Sequence, residues 1–179
     1  MSKKLIVITG PSGAGNSDVV AALFARRADV SPVVPVTARK MKEGERDGVG
    51  FFFYDLEGWN AMKASGELLE ATEFAGNDYG TSRRLVREKL DAGKNVLLEM
   101  EPDRAAQLKA NMPEAVCVYL EPSPAVLEQR TRAISRSALE CALRLQTAER
   151  LRAASGFCDC RVCSDETDSA VAEIEKLLD

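Results

Sequence analysis

A glycine-rich run near the amino terminus has the residue types and spacing of a phosphate-binding loop. It follows a short apolar run and precedes a stretch with helical periodicity, which is the setting that such a loop requires. Glycines let backbone amides turn towards phosphate oxygens, and the start of the following helix adds partial positive charge. The alternative interpretation is a simple glycine turn between a strand and a helix. The predicted phosphate-binding positions are Gly10, Ser12, Gly13, Ala14, Gly15, Asn16, Ser17 and Asp18.

Position 16 departs from the pattern of such loops, which place a lysine there to reach the β- and γ-phosphates of the nucleotide. Asn16 donates hydrogen bonds but carries no charge. Asp18 adds a carboxylate that opposes phosphate, although it suits the start of a helix. Ser17 keeps the hydroxyl that is directed to Mg²⁺. Loss of one charge-stabilising donor lowers a rate by about 10²–10³-fold, so the loop indicates phosphate binding with weakened phosphoryl transfer.

Strands and helices alternate around this loop. Apolar runs typical of strands cover 5–8, 33–36, 51–54, 95–100, 116–120 and 161–163. A helical stretch follows the loop, with Val20, Leu23 and Phe24 on one face, and further helices begin near 55, 82, 102, 123, 139 and 171. This alternation predicts an α/β fold with a parallel sheet. The segment from 33 to 77 is richer in strands and loops, which indicates a small insertion on that sheet.

Composition excludes several classes of function. The chain has 179 residues, which suits one domain. It contains no histidine, and this rules out Ser-His-Asp triads, Cys-His dyads and zinc or haem held by histidine. Its net charge of −4 lacks the basic field of a nucleic-acid binder, and no apolar run approaches the length of a membrane span. A cytoplasmic protein that binds neither nucleic acid nor membrane is expected.

Three of the five cysteines, Cys158, Cys160 and Cys163, lie close together near the carboxyl terminus. They admit two interpretations: a metal or redox site with Cys141 as a fourth ligand, or small thiols in a buried strand. Strand alternation puts Cys160 and Cys163 on opposite faces, which favours the second interpretation. The odd number of cysteines is typical of reduced thiols rather than of a disulfide framework.

Further motifs follow the loop in a consistent order and spacing: Thr37-Ala38-Arg39, Gly44-Glu45 with Asp47-Gly48, Glu67-Leu68-Leu69-Glu70, Gly76-Asn77-Asp78-Tyr79-Gly80-Thr81 and Leu98-Glu99-Met100-Glu101. With them the chain resembles the guanylate kinase family nearly end to end. That family transfers phosphate from ATP to GMP with Mg²⁺, so the resemblance implies these ligands. It also implies a three-layer P-loop kinase core with a parallel sheet (1–32, 83–126 and 145–179), a small GMP-binding domain (33–82) and a lid (127–144).

The resemblance assigns residues to the GMP site. Guanine presents a donor edge, N1–H and the 2-amino group, which the carboxylates of Glu70 and Glu101 can accept. The GMP phosphate requires cations and hydroxyls, and Arg39 can clamp it with two parallel hydrogen bonds. The substrate-binding set implied by the family is Pro35, Arg39, Lys42, Phe51, Glu70, Tyr79, Thr81 and Glu101.

The resemblance also assigns residues to the metal and to the lid. Glu99 matches the acidic residue near Mg²⁺, which gives Ser17 and Glu99 as the metal-binding pair. Arg130 and Arg144 match lid arginines that cover the transferring phosphoryl group, where charge stabilisation provides most of the catalysis. The implied catalytic set is therefore Arg39, Arg130 and Arg144.

Several positions depart from the family, and most of them lie at the phosphate and base sites. Proline stands at 35 for a serine that helps to hold guanine, phenylalanine at 51 for a tyrosine, and lysine at 42 for an arginine. Asp103-Arg104 replaces Gln-Gly, Ser164 replaces an asparagine near the adenine, and the lid is one residue shorter, with Arg132 or Arg136 available to compensate.

Three hypotheses follow from these departures. The first is a divergent guanylate kinase with slow turnover. The second is a non-catalytic module that binds a nucleotide or a phosphoprotein ligand in the GMP pocket, as scaffold proteins with guanylate-kinase-like domains do. The third is a kinase for another phosphorylated small molecule.

Overall fold

The computed structural model describes residues 3–178. Strands and helices alternate along most of the chain, as the sequence predicts. In chain order they are β1 (Leu5–Thr9), α1 (Asn16–Arg26), β2 (Val30–Ser31), β3 (Val36–Thr37), β4 (Phe52–Phe53), α2 (Leu56–Ala64), β5 (Leu68–Phe74), β6 (Asn77–Ser82), α3 (Arg83–Asp91), β7 (Asn95–Glu99), α4 (Pro102–Asn111), β8 (Val116–Leu120), α5 (Pro124–Ile134), α6 (Ala138–Ala154), β9 (Cys160–Val162) and α7 (Thr167–Leu178).

The larger sheet has five parallel strands in the order β2-β7-β1-β8-β9. Alternate residues of β1 enter different hydrophobic clusters, Leu5 and Val7 on one face and Ile6 and Ile8 on the other. The first cluster includes apolar side chains of α3 and α4, and the second includes those of α1 and α7. Helices therefore cover both faces, which is why β1 is apolar at nearly every position. The predicted three-layer α/β core with a parallel sheet is confirmed.

The smaller sheet has the strand order β4-β3-β6-β5. Its last strand, β6, extends beyond the insertion predicted at 33–77 but stays within the range 33–82 that the family resemblance gives to the GMP-binding domain. Strands β5 and β6 form an antiparallel hairpin, and α2 packs the buried Trp59 beneath it. At Gly80 of β6 a Cβ atom would lie 2.7 Å from the backbone oxygen of Glu70 and 3.2 Å from the Trp59 ring. Only glycine allows this close approach of strand, strand and helix.

Some local predictions were wrong. The strand expected at 33–36 begins only at Val36, because Pro32 and Pro35 have no N–H to donate to a ladder. On α1, Val19 is buried together with Leu23, whereas Val20 and Phe24 are only partly buried. The division into core, GMP-binding domain and lid stays a prediction; the lid range covers most of α5 and the first turns of α6. None of the helices in residues 3–178 combines the length and apolar content that a membrane crossing requires.

Asp29 ties the edge strand of the larger sheet to its neighbours. It accepts hydrogen bonds from Arg27 (2.9 Å), Lys3 (3.3 Å) and the buried Asn95 (2.9 Å). The hydrogen bond from Arg27, assisted by Lys3, lowers the pKa of Asp29 well below its usual value, against the opposing effect of burial. A carboxyl group with a lowered pKa stabilises the folded state above its unfolded pKa, and this stabilisation is lost as the pH falls towards the folded pKa.

We therefore expect Asp29→Asn to reduce the free energy of unfolding by about 1 kcal/mol at pH 7. The difference from the unmutated protein should shrink steadily as the pH falls from 4 to 2, since the carboxylate is then being protonated in the unfolded chain. Urea unfolding at pH 7, 4 and 2 measures both effects. Asp91→Asn, at the exposed end of α3, is the matched control; an equal loss in both variants would contradict the role of this network.

Candidate active site

One cleft runs from the glycine-rich loop to the smaller sheet. Its wider part is a cavity of about 610 Å³, and its narrower part, beside the loop, is a cavity of about 230 Å³. Glu99, Met100, Glu101 and Arg104 line both parts, at the end of β7 and the start of α4. The narrow part also contacts Gly10 and Asn16, and the wide part contacts Pro35, Phe51, Tyr79 and Thr81.

The loop between β1 and α1 has the backbone of a phosphate cradle. Gly13 and Gly15 adopt positive φ angles of 90° and 84°, which side chains disfavour. Gly15 is also the residue that precedes the first turn of α1, and the amide of Ala14 donates to the Pro11 carbonyl at 3.0 Å. The remaining loop amides and the helix start can therefore face an anion, which agrees with the phosphate-binding interpretation of the sequence.

Asn16 lies at the point where the loop meets the narrow part of the cleft. Its Nδ2 donates a long hydrogen bond of 3.4 Å to the Gly10 carbonyl. Its Oδ1 is buried and has no hydrogen-bond partner among residues 3–178. The side chain thus offers a neutral amide, with its oxygen unsatisfied, where a phosphate loop normally extends a cation.

Other buried hydroxyls near the loop also have no partner within the described part of the chain: Thr9 Oγ1, Thr131 Oγ1 and Ser164 Oγ. Thr9 precedes the loop, and Thr131 lies against Gly13, where a Cβ atom would meet its hydroxyl at 3.2 Å. A buried polar atom without a hydrogen-bond partner costs free energy. Several such atoms beside one loop therefore indicate that a polar ligand binds there. The phosphates, ribose or base of a nucleotide fit it.

Ser17 and Glu99 are brought together as the sequence predicts. The Ser17 hydroxyl donates to Glu99 Oε1 at 2.8 Å, joining the start of α1 to the end of β7. A hydroxyl and a carboxylate are hard oxygen ligands of the type that Mg²⁺ prefers. Residues 3–178 contain no group of three or more acidic or thiol side chains arranged for a metal.

Arg144 and Arg130 both reach the loop from the helices α6 and α5. Arg144 donates to the Ser12 hydroxyl at 2.9 Å and forms an ion pair with Glu140 at 2.8 Å. Arg130 donates to the backbone oxygens of Ser164 (2.9 Å) and Asp165 (2.7 Å) and lies 3.5 Å from that of Ala14.

The two arginines considered as substitutes in the lid lie elsewhere. Arg132 is exposed and pairs with Glu128 on its own helix. The backbone amide of Arg136 donates a hydrogen bond to Glu140 Oε2 at 2.9 Å.

Arg39 lies beside the wide part of the cleft, held by an acidic partner. Its guanidinium forms two hydrogen bonds to Glu45, of 2.6 and 2.7 Å, and lies over the rings of Phe51 and Phe53. The hydrogen bonds from Arg39, with one from the Lys42 amide, lower the pKa of Glu45 to about 2. The cavity lining includes Phe51 and Tyr79 but, among the described residues, neither Arg39 nor Lys42.

Glu70 is placed differently from its expected role as a base acceptor. Its side chain has no exposed surface, and Arg104 binds it through Nε (2.6 Å) and Nη2 (2.8 Å). Thr81 donates to the same carboxylate at 2.7 Å. Within residues 3–178, the cleft lining contains Arg104, Thr81 and Glu101 but not Glu70. Sequence reasoning missed Arg104 as a site residue; the signal was an arginine at a family glycine position.

Among the three clustered cysteines, Cys158 and Cys160 are partly buried, and Cys160 lies on β9. Burial raises the pKa of Cys117 to about 11 and that of Cys158 to about 12. Cys141 is buried and Cys163 is exposed. Thiols whose pKa is raised by burial are poor nucleophiles and poor metal ligands near neutral pH.

Curated proteins similar to this chain are named guanylate kinase. The family model described as guanylate kinase matches residues 2–179. Guanylate kinase from Synechococcus sp. (strain CC9311) is 40% identical over 176 residues, or 96% of this chain and 92% of the relative. Guanylate kinase from Trichormus variabilis is 39% identical over 180 residues, or 99% and 90%. The crystal structure of guanylate kinase from Anaplasma phagocytophilum has a TM-score of 0.66 at 22% identity, covering 99% of this chain and 85% of that one, which shows a shared fold.

Proposed function

Since the chain belongs to the guanylate kinase family and is guanylate kinase-like in function, we propose that its cleft binds ATP and GMP side by side and transfers phosphate between them slowly. The observation that carries this proposal is the continuity of the cleft. The phosphate loop and the wide cavity share the wall formed by residues 99–101 and Arg104. A donor nucleotide on the loop and an acceptor in the cavity would therefore meet beside Glu99.

The wide cavity has the features of an acceptor site. The rings of Tyr79 and Phe51 contact one another at a tilt of 57°, with centroids 5.6 Å apart, and the Arg39 guanidinium lies over Phe51. The Tyr79 hydroxyl can hold a phosphate, and Arg39 can join it by leaving its two hydrogen bonds to Glu45. Arg104 and Glu101 present charged groups to a base. Phe51 and Lys42, at positions where the family has tyrosine and arginine, leave fewer directed contacts to that phosphate.

In the reaction, an oxygen of the GMP phosphate attacks the γ-phosphorus of ATP, and the bond from that phosphorus to the β-phosphate oxygen breaks, which gives GDP and ADP. The attacking oxygen is already anionic, so the site needs little general base. Catalysis therefore depends on positioning and on cations around the transferring group. Arg144, which reaches Ser12, and Arg130, near Ala14, are the cations that contact the loop.

The side-chain oxygens of Ser17 and Glu99 would hold Mg²⁺, directly or through water. Bound there, Mg²⁺ would supply positive charge that stabilises the negative charge developing during transfer.

Asn16 is the specific observation that favours a second candidate function, a binding module without turnover. Its neutral amide supplies no charge to the β- and γ-phosphates, while the wide cavity keeps Tyr79, Thr81 and Glu101 in its lining. In that case the cavity would hold GMP or another phosphorylated ligand, including a phosphoprotein segment.

Calorimetry with GMP and a coupled assay of ADP release from ATP plus GMP test both candidates. We expect GMP binding, together with slow ADP release that requires both GMP and Mg²⁺. Binding without any GMP-dependent release would support the binding module. No binding at millimolar GMP would contradict the assignment of the cavity, and tighter binding of a sugar phosphate or AMP would indicate a different acceptor.

Tyr79→Phe should weaken GMP binding by about 10-fold or more, the effect of losing one hydrogen bond to a charged group. Guanosine, which has no phosphate, should bind both proteins equally. Tyr54→Phe, outside the cleft lining, is the matched control. Calorimetry measures all of these affinities, and an equal loss for GMP and guanosine would show that Tyr79 does not contact the phosphate.

A further inference from the structure

We propose that Arg104 determines which purine the cleft accepts: it withholds Glu70 from the base and offers a hydrogen-bond donor in its place, so that IMP binds nearly as well as GMP. This inference rests on the proposed function of the cleft as a site for a purine nucleoside monophosphate. It concerns a residue that stands at a glycine position of the family and introduces a group the family pattern lacks there.

Glu70 has little capacity left for a ligand. A carboxylate has about four lone-pair sites for hydrogen bonds, and Arg104 and Thr81 use three of them. The side chain has no exposed surface, whereas that of Arg104 is 29% exposed and lies between Glu70 and the cleft. The hydrogen bonds that Arg104 donates to Glu70 raise the pKa of Arg104 against the opposing effect of burial, and the charges of Glu70 and Glu101 add to this rise.

Arg104 keeps donors available for a ligand. A guanidinium has five N–H groups, and two of them are directed to Glu70. Within residues 3–178 its Nη1 has no hydrogen-bond partner. Arg104 lies in the first turn of α4, and its side chain lines both parts of the cleft where they meet.

The carboxylates that line the wide cavity differ in their availability. Glu99 is engaged by Ser17, and Glu73 is exposed on β5 towards the tip of the hairpin. Glu101 lies beside Arg104 and lines both parts of the cleft. The polar edge available to a base therefore combines one donor, from Arg104, with one acceptor, from Glu101.

This edge matches a 6-oxopurine. The 6-oxo group accepts from Arg104 and N1–H donates to Glu101, and guanine and hypoxanthine share both groups. Arg104 thus supplies the donor that Pro35 cannot supply. The 2-amino group distinguishes guanine from hypoxanthine, and with Glu70 occupied this group has lost its acceptor. Adenine carries an amino group at position 6, which would oppose the Arg104 donor.

Calorimetry with GMP, IMP and AMP tests the proposal. For the unmutated protein we expect dissociation constants of GMP and IMP within about 3-fold of each other, and AMP at least 10-fold weaker. Arg104→Ala frees Glu70, so the preference for GMP over IMP should rise by about 10-fold to 100-fold, the range for a hydrogen bond to a charged group. Arg87→Ala, on the surface of α3, is the control and should leave the preference unchanged.

Glu70→Gln separates this role from a structural one. In the unmutated background it should leave the GMP-to-IMP preference within 3-fold, and in the Arg104→Ala background it should abolish the gain. The measurement on Glu70→Gln alone is informative even if Arg104→Ala does not fold. A fall in the preference for GMP over IMP in this variant would show that Glu70 contacts the base in the unmutated protein.

Further outcomes of the same calorimetry would contradict the role proposed for Arg104. A large preference for GMP over IMP in the unmutated protein would contradict the role of Arg104. The same holds if the preference does not change in Arg104→Ala. Neither result would contradict GMP binding in the cleft. AMP binding as tight as that of GMP contradicts the 6-oxo assignment. Absence of GMP binding to the unmutated protein contradicts the proposed function of the cleft itself.

Discussion

Replacing Asn16 by lysine should raise kcat for phosphate transfer from ATP to GMP by about 10²–10³-fold, the contribution of one charge-stabilising donor in a preorganised site. The side chain at this position lines the narrow part of the cleft together with Glu99, Glu101 and Arg104. A lysine here would extend into that space with carboxylates beside it, and would lie next to the phosphates of a donor nucleotide on the loop. It would also remove the buried amide oxygen that has no partner within residues 3–178.

Asn16→Met is the matched control, because methionine has a similar length and no charge. The coupled assay of ADP release measures kcat at saturating ATP and GMP, and GMP calorimetry checks that the acceptor site is unchanged. A gain with lysine and none with methionine would show that the loop lacks only a charge. Equal rates near background in the unmutated protein and in both variants, with GMP still bound, would contradict the kinase hypothesis and support the binding module.

Arg144→Gln should lower kcat by about 10²–10³-fold with a much smaller effect on GMP affinity. Arg144 donates to Ser12 at 2.9 Å, so its charge lies at the rim of the phosphate loop before any ligand binds. Glu140 holds the guanidinium from the preceding turn of α6 through hydrogen bonds of 3.0 and 2.8 Å. Since the loop lacks the usual lysine, we expect this arginine to supply a larger share of the charge that stabilises the transferring group.

Arg150→Gln is the control, since Arg150 is exposed on the same helix. The effect of Arg144→Gln should also be smaller in the Asn16→Lys background, because two cations that act on one phosphate are not independent. The same loss in both backgrounds would show that the two positions act separately. No loss in either would contradict the assignment of Arg144 to the catalytic set.

Much of the fold could be predicted from the sequence, because the signals that specify it are local. The apolar strands, the caps at Asp55 and Ser82 and the glycine after α3 all follow from residue type and spacing. The hairpin of β5 and β6 was not identified. Its strands are rich in polar residues that face the cleft, and its turn, at Ala75 and Gly76, lacks the Asn-Gly signature of tight hairpins.

The candidate site was only partly predictable, because some of its contacts join residues that lie far apart in the chain. The loop follows from its motif, and the Ser17–Glu99 pair follows from the family resemblance. The two side chains meet because the ends of the neighbouring parallel strands β1 and β7 lie together. The pairing of Glu70 with Arg104 joins residues 34 positions apart, and that of Ser12 with Arg144 joins residues 132 apart. Such contacts depend on how the helices pack on the sheets, so a single sequence shows an arginine there but not its partner.

The close packing at Gly80 has a consequence for how this cleft can evolve. Tyr79 and Thr81, on either side of it, line the acceptor cavity, while a Cβ at position 80 would overlap the Glu70 backbone oxygen. A substitution there would displace both neighbours at once, whatever nucleotide the protein used. Pro35 also lines the cavity, and its side chain forms no hydrogen bond or ion pair, so it can change alone. Replacement of Arg104 would leave the buried Glu70 carboxylate without its cation. New substrate preferences are therefore more accessible through Pro35 than through Gly80 or Arg104.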